Sequence, residues 1–456
     1  MINFKNSVSF EEIKQQVKQY VAQQDGELDI SDLSGISLMI DTISAGIEVS
    51  KFEVFRALQE CFLNTAVLPD SIYNIIDTLH IQLATKAPCF SQMTISSNNT
   101  TTIQPYTQWH SGDVFVYNRE KQVSNNEPHN IEIFQGKVQE EDFVVEDNRP
   151  NIVLKYGDFQ VSIEDIHVYV NGQEWYRFDG DQYLLTDSDA TFLVDVDSEG
   201  FVKVYFGTGK FGMVPQLGAN VVVRYAISDG YEGAQNIQSM KFTNETLPGV
   251  NAYGSGSLAG GDNEKSAEFY RTYGPWLGAS KEWASRKKDF KAIAGKFPGV
   301  IDCSVQTQAD IAPTDKRWEN VIQLTLLTND IWVNQSWNNL TNLLTDKSMS
   351  TLYFFKKDPQ VIKIDIGYTI WCYSNATLES VKAKVEQALK DFLEPKPGCL
   401  GKAVLLSDLE DVIRSVDNSQ ISGYTRNYPN IDYDNLEYYE YITYGDIDIT
   451  CKYGEK

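Results

Sequence analysis

The sequence is poor in basic residues and contains no long apolar run. It has 39 Lys and Arg against 63 Asp and Glu, which gives a formal net charge of −24 at pH 7. Nucleic acids and anionic membranes bind proteins through basic faces, so we expect neither as a partner. Because no run of about 18 apolar residues occurs, no transmembrane helix is predicted. The first residues lack a basic segment followed by an apolar one, so no signal peptide is expected.

Cysteine and histidine are too scattered to build a metal site or a disulfide scaffold. The six cysteines contain no C-x-x-C pair and are Cys61, Cys89, Cys303, Cys372, Cys399 and Cys451. We expect them to be buried free thiols in a reducing cytoplasm. The four histidines, which show no metal-ligand spacing, are His80, His110, His129 and His167. No catalytic, cofactor-binding or metal-binding residue is predicted, no small-molecule substrate is expected, and we do not expect an enzyme.

Two motifs imitate ligand sites but lack the elements that such sites require. Gly207, Gly209 and Gly212 match G-x-G-x-x-G after a predicted strand, but the following residues lead into another strand rather than a helix. Residues 195–202 imitate the start of a calcium-binding EF-hand loop, but Phe206 stands where the loop needs a bidentate Glu. The first motif is therefore interpreted as a strand connection and the second as a β-turn.

Length and periodicity predict a multidomain α+β chain. At about 150 residues per domain, 456 residues suggest roughly three domains. The predicted parts are a helical region at 1–88, a central antiparallel β domain at 89–257, a helical connector with an α/β domain at 258–358, and a C-terminal α+β domain at 359–456. The last two parts are expected to contain small split β-α-β-like modules.

The N-terminal region is predicted to be helical. Ser9 and Glu12 form a capping box before an apolar helix face, and Pro69 opens a later short helix with Ile72, Ile75, Ile76 and Leu79 inward. Between them, apolar or small residues alternate at spacings of four and three, and we call this set the helix seam: Ile36, Ile40, Ile43, Ile47, Ser50, Val54, Ala57 and Cys61. The seam fits packing within its own domain or a bundle with partner chains. The small core that this region can build favours the bundle.

Short β-rich runs fill the central region. They are residues 93–96, 114–117, 131–134, 143–145, 152–154, 167–170, 192–194, 202–206 and 221–225, separated by turn dipeptides such as Asn171-Gly172. Residues 254–264 (GSGSLAGGDNE) read as a flexible linker. Asp262 is expected to cap the next helix, Glu264 to lie in its first turn, and residues 263–296 to be helical.

The C-terminal half alternates between strand and helix patterns. Strands are predicted at 300–305, 321–327, 361–371, 421–426 and 441–450, and helices at about 335–346, 377–392 and 406–416. Residues 432–446 concentrate acids and aromatics, a composition that fits sugar binding or, as we favour, a solvated edge or interface strand.

Two ordered blocks of residues resemble a known family. The first block contains Gly207, Gly209, Gly212, Pro215 and Gly218, followed by Gly230 and residues 233–236. The second contains Gly260, Gly261, Asp262, Glu264, Arg271 and Pro275, followed by Arg286 and residues 288–290 and 297–300. This order resembles the baseplate J-like family of contractile phage tails, in which a glycine-rich hairpin precedes a "GG-D-E" linker. Residues 62–66, 71–74 and 87–88 look like its T-even branch, the wedge protein of the inner baseplate ring. Thr208 and Asn263 depart from the family pattern.

The resemblance implies a structural role without cofactors. It implies a wedge subunit that joins copies of itself, as a dimer within a ring, and other wedge proteins around the tail hub, near sheath-proximal proteins, and relays the contraction trigger. Residues 1–85 would join a helical bundle with other wedge chains, and the C-terminal half would carry contacts between copies. The implied location is the tail baseplate of a virion, assembled in the host cytoplasm. The alternatives are a β-rich carbohydrate-binding or glycoside-cleaving tail protein, and a subunit of a bacterial contractile injection device.

Overall fold

The computed structural model describes residues 10–24, 35–79, 81–147, 150–180, 182–278, 283–374, 376–416 and 420–454. Contacts between Cα atoms divide the chain into two units, Met1–Thr78 and Leu79–Lys456. Both helices and antiparallel sheets are abundant, which confirms the α+β class. No helix among these residues combines the length and the apolar character needed to cross a membrane.

The first unit is helical, as predicted. Its helices are α1 (Phe10–Gln24), α2 (Gly35–Glu60) and α3 (Pro69–Thr78). α1 packs against α2, Ile13 and Ile40 are buried, and Lys14 forms an ion pair with Asp41 at 2.8 Å. Buried apolar side chains and an ion pair therefore link the two helices.

The residues predicted at the helix ends agree with the structure only in part. Ser9 of the predicted capping box lies outside the described residues, whereas Glu12 lies in the first turn of α1. α3 begins at Pro69, and Ile72 and Ile76 are buried as expected. Leu79, predicted to point inward, is 46% exposed because the helix has already ended at Thr78.

Strands fill the chain from Phe90 to Leu258. They are β1 (Phe90–Ser97), β2 (Thr101–Ile103), β3 (Gln108–Ser111), β4 (Val114–Tyr117), β5 (Gln122–Ser124), β6 (His129–Gln135), β7 (Lys137–Val144), β8 (Asn151–Val153), β9 (His167–Val170), β10 (Gln173–Arg177), β11 (Thr191–Val196), β12 (Val202–Phe206), β13 (Asn220–Ile227), β14 (Gln235–Asn236), β15 (Lys241–Phe242), β16 (Val250–Gly254) and β17 (Ser257–Leu258). Every run predicted between residues 93 and 225 overlaps one of them.

Most of these strands form two mainly antiparallel sheets. One has the order β15-β16-β1-β6-β4-β3 and the other β7-β13-β9-β10-β11-β12-β8, in which only β10 and β11 pair in parallel. Asn171 and Gly172 adopt positive φ values of 50° and 81° and join β9 to β10 in a tight turn, as their sequence predicts. The predicted antiparallel β region is therefore confirmed.

The prediction of a flexible linker at residues 254–264 is wrong. Gly254 pairs with Met93 across β16 and β1, and β17 pairs with β14. Gly260 and Gly261 are buried. The glycines serve close packing rather than flexibility.

The prediction that residues 263–296 are helical holds only in part. The chain forms α4 (Ala267–Leu277) and, after an interval, α5 (Lys287–Lys296). It continues through β18 (Val300–Thr307), α6 (Gln308–Ile311), β19 (Val321–Thr328), α7 (Asn334–Asp346) and β20 (Tyr353–Lys357). Asp289 caps α5 by accepting a hydrogen bond of 2.9 Å from the backbone N–H of Arg286, so a new helix begins there.

The C-terminal part contains every helix and strand that its sequence predicts. The elements are β21 (Gln360–Cys372), α8 (Leu378–Leu393), α9 (Leu406–Val416), β22 (Ile421–Tyr428) and β23 (Glu440–Tyr453). Val381, Val385 and Leu389 recur every fourth residue on α8 and are buried in a core with Tyr368 and Ile370 of β21.

The split β-α-β arrangement is not observed in either C-terminal sheet. The orders are β18-β19-β20 and β22-β21-β23. The parallel pairs, β19 with β20 and β21 with β23, are direct neighbours. The crossover thus returns the chain beside the strand that it left, and the antiparallel strand pairs on the other side.

Candidate functional site

The glycine loop, residues 207–218, connects β12 to β13 and is closed upon itself. Gly209 and Gly212 have φ values of 80° and 76°, and a Cβ on Gly207 would lie 2.1 Å from the backbone carbon of Gly212. The backbone N–H of Thr208 donates to Phe211 O at 2.9 Å, and that of Gly212 donates to Thr186 O at 2.9 Å. These donors would have to face phosphates in a nucleotide site, and no helix follows the glycines. The interpretation as a strand connection is confirmed.

The loop is not the hairpin that the resemblance implies. β12 pairs with β11 and β8, whereas β13 pairs with β7 and β9, so the two strands are not neighbours. Pro215 is buried, and the N–H of Ala219 donates to Gln216 O at 3.0 Å. Gly218, with φ of 79°, lies in this turn. The loop therefore crosses the sheet in a fixed shape.

A second site forms around residues 260–264, which we call the glycine-rich junction. Asp262 and Ala87 exchange backbone hydrogen bonds of 2.9 and 3.2 Å. The Asp262 carboxylate accepts a hydrogen bond of 2.8 Å from the N–H of Gly299 and one of 2.7 Å from Lys265 Nζ. Lys265 Nζ also donates to Val300 O at 2.8 Å. One aspartate thus joins the chain that enters the β region to the loop that precedes β18.

The glycines of the junction allow backbones to approach closely. A Cβ on Gly260 would lie 2.3 Å from Cε1 of Phe90, and one on Gly261 would lie 2.5 Å from Cys89 Sγ. The side-chain oxygen of Asn263 accepts a hydrogen bond of 3.1 Å from the N–H of Tyr231. The departure from the family pattern at Asn263 therefore has its own contact within the junction.

The predicted helix cap at Asp262 is wrong. α4 begins after Ser266, whose hydroxyl accepts a hydrogen bond from Phe269 N at 3.3 Å. The Asp262 carboxylate instead accepts hydrogen bonds from Lys265 and Gly299. Glu264 precedes the helix, and the acid in its first turn is Glu268.

Two more motif residues lie inside α4. Arg271 forms an ion pair with Glu268. Pro275 lies one turn after Arg271, near the end of the helix. Their contacts are those of a helix that is packed into the fold, and they bring no reactive group together.

Asp165 is the centre of a buried network that the sequence did not reveal. Its carboxylate accepts 2.7 Å hydrogen bonds from Nε and Nη2 of Arg119, from Tyr117 Oη at 2.7 Å and from Ser162 Oγ at 2.6 Å. Burial alone would raise the pKa of Asp165, but Arg119 and the hydroxyls lower it overall. Burial, followed by the Asp165 charge, raises the pKa of Tyr117.

Asp302 forms a second buried centre. It accepts hydrogen bonds from the hydroxyl of Tyr273 on α4 and from the backbone N–H groups of Cys303 and Leu400, each at 2.8 Å. Burial and the Asp302 charge raise the pKa of Cys399 to about 12. Asp302 therefore ties α4, β18 and the segment before α9 together.

Neither centre could be found from spacing because, apart from Ser162 and Cys303, the partners of the two aspartates lie in distant segments. Tyr117 and Arg119 are 48 and 46 residues from Asp165. The only local signal was an acid within an apolar run, as with Asp165 between Ile163 and Ile166.

The helix seam lies on α2 and just beyond it. Ile40 is buried, Ile36 and Ile47 are partly buried, and Ile43, Val54 and Cys61 are exposed, the last after the helix end at Glu60. α2 exposes seven large apolar side chains in all, which are Leu38, Met39, Ile43, Val49, Phe52, Val54 and Leu58. Most of the seam is therefore not covered by the described part of its own unit.

The potential chemical sites are few. The backbone N–H of Gly200 donates to Asp197 O at 3.0 Å, which confirms a β-turn in the EF-hand-like segment. The Asp197 carboxylate also accepts hydrogen bonds from the N–H groups of Glu199 and Phe201 at 3.1 and 2.9 Å. Within the described ranges, no three His, Cys, Asp or Glu side chains are placed to hold a metal ion. All six cysteines are free, and Cys61 is exposed, contrary to expectation.

Comparisons with known proteins were largely negative. No family model matches the chain, and no curated protein matches it. A chain of the cryo-EM structure of the anti-feeding prophage (AFP) baseplate, 6-fold symmetrised, is similar over 95% of this chain and 90% of its own, at 10% sequence identity. The TM-score is 0.28, a level at which the likeness carries no argument.

Proposed function

We propose that this chain is a non-enzymatic structural subunit of the baseplate of a contractile phage tail, in the wedge that forms the inner ring around the hub. Its work is to hold shape and to adhere to neighbours. The baseplate assignment comes from the two ordered motif blocks of the sequence, and the adhesive role comes from the exposed surface of α2.

One observation carries the adhesive role. Ile43 is 53% exposed and Val54 60% exposed on a 26-residue helix of a unit with a small core. Exposed large apolar side chains that recur along one helix face mark a surface that a partner covers. A bundle with helices from other wedge chains would bury these residues.

The motif blocks support the structural role. In the glycine loop and the glycine-rich junction, the glycines allow backbones to approach closely, as at Gly207 and Gly261. The Asp262 carboxylate of the junction is held by internal hydrogen bonds. Such residues build a rigid body that can transmit a displacement from one neighbour to the next.

The remaining parts of the proposal follow the resemblance. Partners are copies of this chain, as a dimer within the ring, other wedge proteins, and hub or sheath-proximal proteins. The chain resides in the virion tail baseplate after assembly in the host cytoplasm and relays the contraction trigger. A bacterial contractile injection device would use the same surfaces in the same way.

The test compares two faces of α2. The double variant Ile43→Asp/Val54→Asp charges the seam, whereas Leu38→Asp/Val49→Asp charges positions about 140° around the helix. Each variant is co-expressed with the other baseplate chains of its particle, and complexes are sized by mass photometry. We expect the seam variant to lose assembly while the control variant retains it.

Two results would reject the adhesive role of the seam: assembly that survives in the seam variant, or equal loss in both variants. Circular dichroism of each purified chain verifies that the variants fold. All four positions are exposed, so the isolated chain should tolerate the charges.

The carbohydrate alternative has one observation in its favour. A polar cavity of about 550 Å³ near α9 and β22 is lined by Glu410, Tyr424 and Arg426. Glu410 is held by Arg426 at 3.0 Å and by the hydroxyl of Tyr424 at 3.2 Å. Glycan-array binding that disappears in Tyr424→Ala, or turnover of a glycoside, would favour this alternative over the baseplate role.

A further inference from the structure

A cavity of about 530 Å³ lies within the unit Leu79–Lys456, between the β region and the helices α5 and α7. Its apolar walls are Phe90, Phe134, Leu277, Ile293, Phe297 and Leu343. Protein interiors are close-packed and contain few voids larger than a water molecule. The volume falls in the range of small-molecule sites, about 300–1,000 Å³, and the mixture of apolar walls with a few polar groups is typical of them.

Carboxylates already hold the two arginines that line the cavity. Four basic residues line it, Arg119, Arg177, Lys296 and Lys347, against Glu164 and Asp179. Arg119 is held by Asp165 and Arg177 by Asp179.

Lys296 differs from these arginines. It donates to Gln82 O at 3.1 Å and makes no ion pair within the described part of the chain. Burial lowers its pKa to about 8, with Arg177 and Lys347 adding to the fall and Glu164 and Asp179 opposing it. An anion beside Nζ would favour the charged form of Lys296.

A buried hydroxyl adds a second, independent sign of a ligand. Ser336 on α7 lines the cavity, is 1% exposed, and its Oγ has no hydrogen-bond partner. Gly260 stands beside it, and a Cβ there would lie 3.0 Å from Oγ. Buried polar groups without partners are rare because their desolvation is not compensated.

We propose that this cavity binds a small amphipathic carboxylate, whose charged group pairs with Lys296 while its apolar body contacts the phenylalanine and leucine walls. The proposal goes beyond the structural role and does not depend on it. A ligand here would contact the β region, α5 and α7 together and would therefore stabilise their arrangement.

The experiment uses the full-length protein and sodium decanoate as the probe, below its micelle-forming concentration. Binding is measured by isothermal titration calorimetry and by the rise in Tm, since a ligand that binds only the folded state stabilises it. We expect decanoate to bind and decan-1-ol, which lacks the charge, to bind at least tenfold more weakly.

Three variants locate the site. Lys296→Met should weaken decanoate binding at least tenfold, and Leu343→Trp should abolish it by filling the cavity. Lys316→Met, which removes an exposed lysine outside the cavity, should leave the affinity unchanged. Absence of decanoate binding, equal affinities for decanoate and decanol, or unchanged affinity in Lys296→Met would each overturn the proposal, whether or not Leu343→Trp folds.

Discussion

The two units of the chain differ in the residues that they expose and bury. The unit Met1–Thr78 exposes large apolar side chains of the helix seam, including Ile43 and Val54 at 53% and 60%. The unit Leu79–Lys456 buries whole carboxylates, as at Asp165 and Asp302, which are both 0% exposed. The first pattern leaves contacts for partners, whereas the second ties distant segments of one unit together.

The difference has an energetic reason. A buried carboxylate is tolerated only where donors replace the water that it loses. Asp165 has four side-chain donor groups within 3.3 Å, in Tyr106, Tyr117, Arg119 and Ser162. Removal of one partner leaves the other members of such a network buried without a hydrogen bond. The stability of the unit Leu79–Lys456 should therefore be the more sensitive to single polar substitutions.

The largest expected effect is that of Asp165→Ala. It leaves Arg119 and two tyrosine hydroxyls without their acceptor, and removal of one partner of a buried ion pair costs about 3–5 kcal/mol. Because Arg119 is partly exposed, we expect a loss of about 3 kcal/mol in the free energy of unfolding, measured by urea denaturation at pH 7. Asp113→Ala, at an exposed carboxylate, should change it by less than about 0.5 kcal/mol.

The pH dependence of the same variant provides a check. The pKa of Asp165 is lowered in the folded state, so its contribution to stability is present above the unfolded pKa of about 3.9. That contribution is lost as the pH falls through the folded pKa. The difference between wild type and Asp165→Ala should therefore shrink below about pH 4. A difference that is constant from pH 7 to pH 3 would contradict the assignment.

The second effect separates close packing from backbone conformation within the glycine loop. In Gly207→Ala the new Cβ meets the Gly212 backbone at 2.1 Å, whereas in Gly218→Ala nothing lies within 4 Å but φ is 79°. We expect a loss of about 2–3 kcal/mol for the first from overpacking and about 1 kcal/mol for the second from backbone strain. Thermal unfolding of both variants measures the difference, and equal losses would show that the loop yields at Gly207.

Local sequence patterns predict most of the observed helices and strands. Val114–Tyr117, His167–Val170 and Val202–Phe206 are strands at the residues that their alternation predicts. Some strands that escaped prediction are short and polar, such as β3 (Gln108–Ser111) and β14 (Gln235–Asn236), whereas β20 (Tyr353–Lys357) is rich in aromatic residues. Their pairing comes from neighbours that are distant in sequence, which a local pattern does not contain.

Glycine-rich composition misled the prediction of the junction. A run such as GSGS or GG fits a flexible linker and a close backbone approach equally well. The deciding partners, Cys89 and Phe90, lie about 170 residues earlier in the chain. For the same reason, the spacing of the helix seam predicts the helix but does not identify the residues that pack on its apolar face.

The smallest effect is expected in the helical unit, at Gly46 in the interior of α2. A Cβ there meets nothing within 4 Å, so Gly46→Ala should only reduce the freedom of the unfolded chain and raise helix stability by about 0.5–1 kcal/mol. Ala45→Gly, at the exposed neighbouring position, should lower it by a similar amount. Amide hydrogen exchange measures both changes in α2, and protection of β21 should stay constant. A loss of stability in Gly46→Ala would mean that the new Cβ meets atoms of its own unit. It would then count against the conclusion that α2 leaves an exposed face for partners.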